Sequence, residues 1–237
     1  MTHSNIPVWF GNSRRIHLQE VGTRDGLQAE CAFVPTEDKI ALVNELSATG
    51  LSKIEVTSFT SPTAIPALRD AEIVMREIER RPGVVYSALV PNRRGAERAI
   101  DARADELNLV MSASETHNLA NLRMTRAQSF EALSQVVQLA HEQGVAVNVS
   151  LSCAFGCPME GDVPESTVLD WAQRFVDLGA RGITLCDTTG MAYPGQVAAL
   201  TRAFRLRWPR TELTLHFHNT RGMGLAMAEQ LLDAGHD

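Results

Sequence analysis

Lysine is nearly absent: of the 237 residues only Lys39 and Lys53 are lysine. Neither stands at the carboxyl end of a strand-like run, where a Schiff-base aldolase needs its amine. No G-x-G-x-x-G follows the first such run, which counts against the dinucleotide-binding version of an α/β sheet. There is no basic block, and the net charge is −6, which argues against nucleic acid as a partner. No apolar run approaches the roughly 20 residues of a membrane span. Residues 1–15 carry no signal-peptide pattern. A chain without a membrane partner is therefore expected. The four cysteines, Cys31, Cys153, Cys157 and Cys186, form neither a CxxC pair nor a dense framework. Reduced thiols in a cytoplasmic protein follow as the expectation. Cys153 and Cys157 are four apart, but no second pair follows at finger spacing to complete a zinc site.

What is there is an ordinary globular composition, 44% hydrophobic and 21% charged, with two alternating periods. Strand-like runs fall at 16–21, 52–59, 84–90, 106–111, 145–152, 182–187 and 212–218. Helical patterns fall between them at 36–49, 66–80, 93–101, 126–143, 165–178 and 193–207, and a last one at 222–234. Gly50, Gly144 and Gly179 follow helices, where a left-handed cap is wanted. Seven βα units in alternation predict a parallel sheet. Of an open doubly wound sheet and a (β/α)8 TIM barrel, the barrel is favoured, because the polar residues gather after nearly every strand. Residues 1–237 read as a single domain. A closed barrel needs an eighth strand, and the chain stops where it should begin, so a barrel truncated after the seventh βα unit is predicted.

Two constellations carry chemistry. The run Glu20-Val21-Gly22-Thr23-Arg24-Asp25-Gly26-Leu27-Gln28 ends the first strand in a glycine-bracketed turn. Gly22 and Gly26 are expected to take backbone angles that other residues resist, which sets Arg24 and Asp25 side by side. Alone, this pair reads as an ion pair on a turn, worth little. The second constellation is His216-x-His218, whose imidazoles share one face of the seventh strand about 7 Å apart along it. In a barrel the loop after the first strand lies near strands seven and eight. Asp25 then adds a carboxylate, giving a two-histidine, one-carboxylate set with open positions for substrate and water. Hydrogen-bonded polar residues at a strand end remain the competing reading at this level.

At these residues the sequence resembles the hydroxymethylglutaryl-CoA lyases, metal-dependent barrels whose superfamily includes isopropylmalate-type synthases. The resemblance rests on the Glu20–Gln28 run and on Ile54-Glu55-Val56-Thr57-Ser58-Phe59. It continues at Ser112-Ala113-Ser114-Glu115-Thr116 and Ser152-Cys153-Ala154-Phe155-Gly156-Cys157-Pro158. It closes with Asp187-Thr188-Thr189-Gly190 and His216-Phe217-His218-Asn219-Thr220. Leu27 favours lyase over synthase, which usually carries an acidic residue there. The resemblance implies a retro-Claisen cleavage of 3-hydroxy-3-methylglutaryl-CoA, or of a close analogue such as citramalyl-CoA. Asp25, His216 and His218 are implied as ligands of Mg2+ or Mn2+. Arg24, Asp25 and His216 are the implied catalytic residues. Arg24 would stabilise an enolate, and Gln28, Glu55 and Asp187 would line the substrate pocket with it. The implied partner is an acyl-CoA, and a homodimer or higher homo-oligomer is expected.

The sequence departs from that pattern in two places. The family's further asparagine ligand and its glycine-rich loop with a catalytic cysteine follow the eighth strand, so the chain as given is expected to be impaired. Asn219-Thr220-Arg221-Gly222-Met223 stands where better-known lyases carry an aspartate and an aromatic, and Arg221 could reach a second carboxylate or a CoA phosphate. A Claisen-type synthase and a non-catalytic truncated barrel serving as an interaction partner are the alternatives. Cys153 and Cys157 are read as packing, Cys186 as core, His117 as facing either pocket or solvent, and Arg93 and Arg94 as solvated.

Overall fold

The structure, a computed structural model, describes residues 16–234. Residues 1–15 with His3, and 235–237 with His236 and the expected start of an eighth strand, lie outside the described residues. Seven strands form one sheet in chain order: β1 (Gln19–Glu20), β2 (Lys53–Ser58), β3 (Val85–Val90), β4 (Glu106–Ser112), β5 (Ala146–Ser152), β6 (Gly182–Asp187) and β7 (Glu212–Phe217). Every pairing recorded between named strands is parallel. Helices follow the strands: α1 (Thr36–Ser47), α2 (Ala71–Glu77), α3 (Arg93–Asp101), α4 (Glu115–Leu122), α5 (Arg126–Gln143), α6 (Glu165–Asp177), α7 (Pro194–Arg207) and α8 (Gly224–Ala234). These are seven βα units of the TIM-barrel plan, as the alternation predicts. The described chain divides into two compact units, His17–Leu109 with Gln135–Val147, and Val110–Ser134 with the chain from Asn148 on.

In the first unit every residue of β2 is buried, the signature of a parallel strand covered on both faces. One face is polar: Lys53 pairs with Glu106 at 2.7 Å, both almost fully buried, and Glu55 accepts from Asn108. A buried charge is tolerated only when paired in this way. The helix expected at 66–80 is broken in two. Lys39 Nζ donates to the Ala67 carbonyl (2.6 Å) and to Asp70 Oδ1 (2.7 Å), and Thr36 donates to Asp70 Oδ2. A short 3-10 turn, Pro66–Leu68, therefore precedes α2. At its other end Ile78 turns extended, ahead of Arg81-Pro82. Strand β1 is shorter than expected, and Ile16 and Leu18 beside it are exposed.

In the second unit β6 is buried throughout, whereas every residue of β7 after Glu212 is only half-buried. Helix α4 is not among the expected helical patterns. Ser114 Oγ accepts from His117 N (3.1 Å) and caps it. Buried Asn118 then ties it down, accepting from Ser112 N and donating to Met124 O and Ser129 Oγ. Gly50, Gly144 and Gly179, one of them in the second unit, take the left-handed conformation expected of them.

Candidate active site

The first set of functional side chains grows from the turn after β1. Gly22–Gly26 forms a single wide helical turn in which the Val21 carbonyl accepts from Arg24 N (3.0 Å) and Asp25 N (2.7 Å). Neither bracketing glycine has a positive φ, contrary to expectation. A Cβ on Gly22 would lie 2.9 Å from Glu20 Oε1, which accepts from the Gly22 N–H at 2.6 Å, so a side chain there would displace the Glu20 carboxylate from the turn. Thr23 staples the turn to β2 through the Glu55 carbonyl (2.8 Å).

This geometry buries Arg24, which is 8% exposed. Its Nε donates to Glu55 Oε1, and its Nη1 to Asp25 Oδ1 at 2.5 Å. Glu55 is 1% exposed, and its second oxygen accepts from Asn108 Nδ2. The ion pair is thus no solvated surface contact. Glu55 fixes the guanidinium plane from behind, and Asn108 fixes Glu55. Asn108 and Thr23 were missed in the sequence. The signal for Asn108 was present, because it alternates with Leu107 and Leu109 on the same strand as Glu106. Gln28 is exposed and lines a cavity of about 510 Å³ with Cys31, Phe33, Ile65 and Arg69.

The second set belongs to β6, β7 and the loops after β4 and β5. His216 and His218 share a face of β7, with ring centroids 4.9 Å apart, and both are half-buried. Pairing of β6 with β7 sets Cys186 beside His216 and Asp187 beside Phe217. Side chains alternate along a strand, so Cys186 shares the histidine face. Asp187 Oδ1 accepts from Met191 N (2.7 Å) and Ala192 N (3.0 Å), closing the turn after β6. Its other oxygen is buried with no hydrogen-bond partner among the described residues. Asn219, in the segment that departs from the lyase pattern, accepts from Gly224 N (2.9 Å) and so caps α8.

Cys153 and Cys157 are both fully buried, and no cysteine is disulfide-bonded. His117 is half-buried, and burial holds its imidazole below the usual range against the pull of Glu160. Arg93 and Arg94 are exposed, Arg93 pairing with Glu97 at 3.1 Å.

In the first unit an anchored arginine stands beside a carboxylate after β1, and in the second unit two imidazoles share the carboxyl end of β7, each where a βα-barrel carries its chemistry. The profile of the HMGL-like family matches residues 15–237. The hydroxymethylglutaryl-CoA lyase YngG of Bacillus subtilis is 44% identical over 222 residues, covering 94% of this chain and 74% of that protein. The mitochondrial hydroxymethylglutaryl-CoA lyase of Rattus norvegicus is 37% identical over 222 residues, covering 94% and 68%. Among solved structures, an HMG-CoA lyase from Acinetobacter baumannii in complex with coenzyme A and 3-methylmalate superposes with a TM-score of 0.90 at 47% identity. That match covers 95% of this chain and 73% of the other. The carboxyl transferase domain of Rhizobium etli pyruvate carboxylase, 16% identical with a TM-score of 0.71, shares the fold alone. The chain belongs to the HMG-CoA lyase group of the HMGL-like family, and it is a carbon–carbon lyase.

Proposed function

We propose that this protein cleaves 3-hydroxy-3-methylglutaryl-CoA to acetyl-CoA and a keto acid by a retro-Claisen reaction. The supporting observation is the likeness, over nearly the whole chain, to a lyase solved with coenzyme A and 3-methylmalate. Dependence on a divalent cation is general in the family. In this reading Asp25, His216 and His218, a donor set of one carboxylate and two imidazoles, hold Mg2+ or Mn2+. The donor types suit a first-row or hard divalent cation with positions left for oxygen ligands. When bound, the cation supplies Lewis acidity that lowers the pKa of the substrate's tertiary hydroxyl.

The protein's own groups do the rest. His216 takes the hydroxyl proton and, once the carbon–carbon bond has broken, a proton is returned to the enolate carbon to give acetyl-CoA. As the oxygen becomes a carbonyl, the neighbouring carbon–carbon bond breaks and its electron pair passes to the thioester as an enolate. Arg24, already aimed by Glu55, donates to that enolate oxygen, and so needs no reorganisation as charge develops. Gln28 contacts substrate, Glu55 positions Arg24, and Asp187 shapes the loop beside the histidine strand. Residues 1–237 are read as one lyase domain, a reading supported by the family match over residues 15–237. No helix among the described residues is long and apolar enough to cross a membrane. A cytoplasmic homodimer or higher homo-oligomer belongs to the same proposal.

The test is an assay of the purified protein with Mg2+ or Mn2+ on 3-hydroxy-3-methylglutaryl-CoA and, in parallel, citramalyl-CoA. Release of acetyl-CoA and a keto acid from the first, in excess over the second, is expected. Preference for citramalyl-CoA, or net condensation when acetyl-CoA and a keto acid are supplied, overturns the substrate assignment.

A further inference from the structure

Helix α7 turns one side inward and leaves the other open. Val197, Leu200 and Phe204 make up its buried side. On the side away from them Gly195, Ala199, Arg202 and Leu206 are all exposed, Leu206 at 79%. These four recur at intervals of four, three and four residues, the spacing that sets side chains in one line where a helix meets another helix. Exposed leucines scattered singly are ordinary; Leu206 ends an ordered line instead.

That line is small at one end and large at the other. Gly195 and Ala199 occupy its N-terminal half, Arg202 and Leu206 its C-terminal half. For a Cβ placed on Gly195 the nearest side chain would be the Tyr193 ring, 3.7 Å away, so an open notch lies there beside an aromatic wall that is itself 59% exposed. Glu165, in the first turn of α6, lines the same depression, a cavity of about 210 Å³, with Tyr193, Gly195 and Ala199. Charge follows the same gradient. Residues 188–211 hold four arginines, all at or after Arg202, and no acidic residue. Neither Glu165 nor Arg202 has an ion-pair partner among the described residues.

We propose, resting on the homodimer reading above, that two copies of the chain associate through this face of α7, their α7 helices antiparallel about a two-fold axis between positions 199 and 202. Only opposite running directions fit. Parallel helices set leucine on leucine and arginine on arginine. Antiparallel helices set Leu206 of each copy into the Gly195 notch of the other, and Arg202 against Ala199. Each large side chain then meets a small one, which lets two helices close to packing distance. Arg202 also comes to the end of the depression that holds the other copy's Glu165. Every contact is made twice, as an isologous interface requires. Opposite charges meeting there fix the direction of the helices more than they add affinity.

The experiment uses the full chain with Cys31→Ser, which removes the exposed thiol. Sedimentation equilibrium over a range of concentration should show monomer and dimer in exchange. Leu206→Glu should raise the dissociation constant at least about tenfold, the worth of one buried leucine side chain, with an unchanged circular dichroism spectrum. Arg202→Glu should weaken the dimer too, and adding Glu165→Arg should recover it. Chains carrying Gly195→Cys and chains carrying Leu206→Cys, mixed and oxidised, should cross-link to each other. Neither should cross-link to itself, because the two copies of one position lie about 16 Å apart along the paired helices, beyond the reach of a disulfide. A dimer indifferent to Leu206→Glu or to Arg202→Glu, or cysteines that fail to join in the mixture, overturns this surface and leaves the homo-oligomer reading standing. A monomer at every concentration overturns both, and neither result touches the substrate assignment.

Discussion

Arg24 is the residue on which the proposed chemistry leans most. A guanidinium at 8% exposure must be paired, and it donates to both Glu55 and Asp25. Because Glu55 is itself fixed by Asn108, the donor is aimed before substrate arrives. Arg24→Ala should lower kcat about 10²- to 10³-fold, the usual effect of removing one oxyanion donor. Steady-state kinetics on the purified variant check this, and retention of kcat would remove Arg24 from the reaction. Glu55→Ala leaves Arg24 and Asn108 without their shared buried acceptor, at a cost of about 1–3 kcal/mol in stability. Its melting temperature should fall together with kcat. A shift in KM alone would mean that Glu55 binds substrate instead of positioning Arg24.

His117 makes a pH prediction with a definite sign. Burial holds its folded-state pKa below the ordinary histidine value. The unfolded chain therefore binds the proton more readily, and stability from this group rises with pH up to about 6.5 and is flat above it. His117→Gln should remove that part of the slope in urea unfolding between pH 5 and 7, an interval set by the ordinary histidine pKa. An unchanged slope would assign the dependence to another group.

At the scale of elements, the loop after β6 supports the loop after β7. Gly190 has φ 67°, and a Cβ there would lie 2.6 Å from Thr220 Cβ and 3.0 Å from the His218 carbonyl. Gly190→Ala should destabilise by about 1–3 kcal/mol through strain and contact. It should also weaken binding of Mn2+, measured by calorimetry, because the displaced backbone carries His218. An unaltered Mn2+ affinity would separate this loop from the cation site. The elements also show what local sequence can and cannot specify. The bounds of α3, α5 and β6 follow from caps and periodicity and coincide with expectation. The break before α2 does not, because Lys39 reaches Asp70 from 31 residues away and takes helix carbonyls with it. Helix α4 was legible in principle, since Ser114 followed by Glu115 is a start signal. Its anchor, Asn118, became visible only once Ser112, Met124 and Ser129 surrounded it.

For the molecule as a whole, the proposed cation site ties activity to stability. Chelation should abolish turnover, and Mg2+ or Mn2+ should restore it. A cation at 100 times its Kd should add about 2.7 kcal/mol to folding. Thermal melting with and without Mn2+ reads this directly, and turnover that survives exhaustive chelation would sink the metal-dependent reading. The same whole-molecule view separates two kinds of information. The sequence by itself determined the βα alternation, the polar strand ends, the shortage of lysine and the identities of Arg24, Asp25, His216 and His218. Periodicity and residue chemistry are local properties, readable along the chain. The tertiary structure alone decided that Arg24 is buried against Glu55 and that Asp187 closes the turn after β6 through Met191 and Ala192. Each of these depends on strand register, a turned backbone or a partner distant in sequence, and none of those is encoded in the residues nearby.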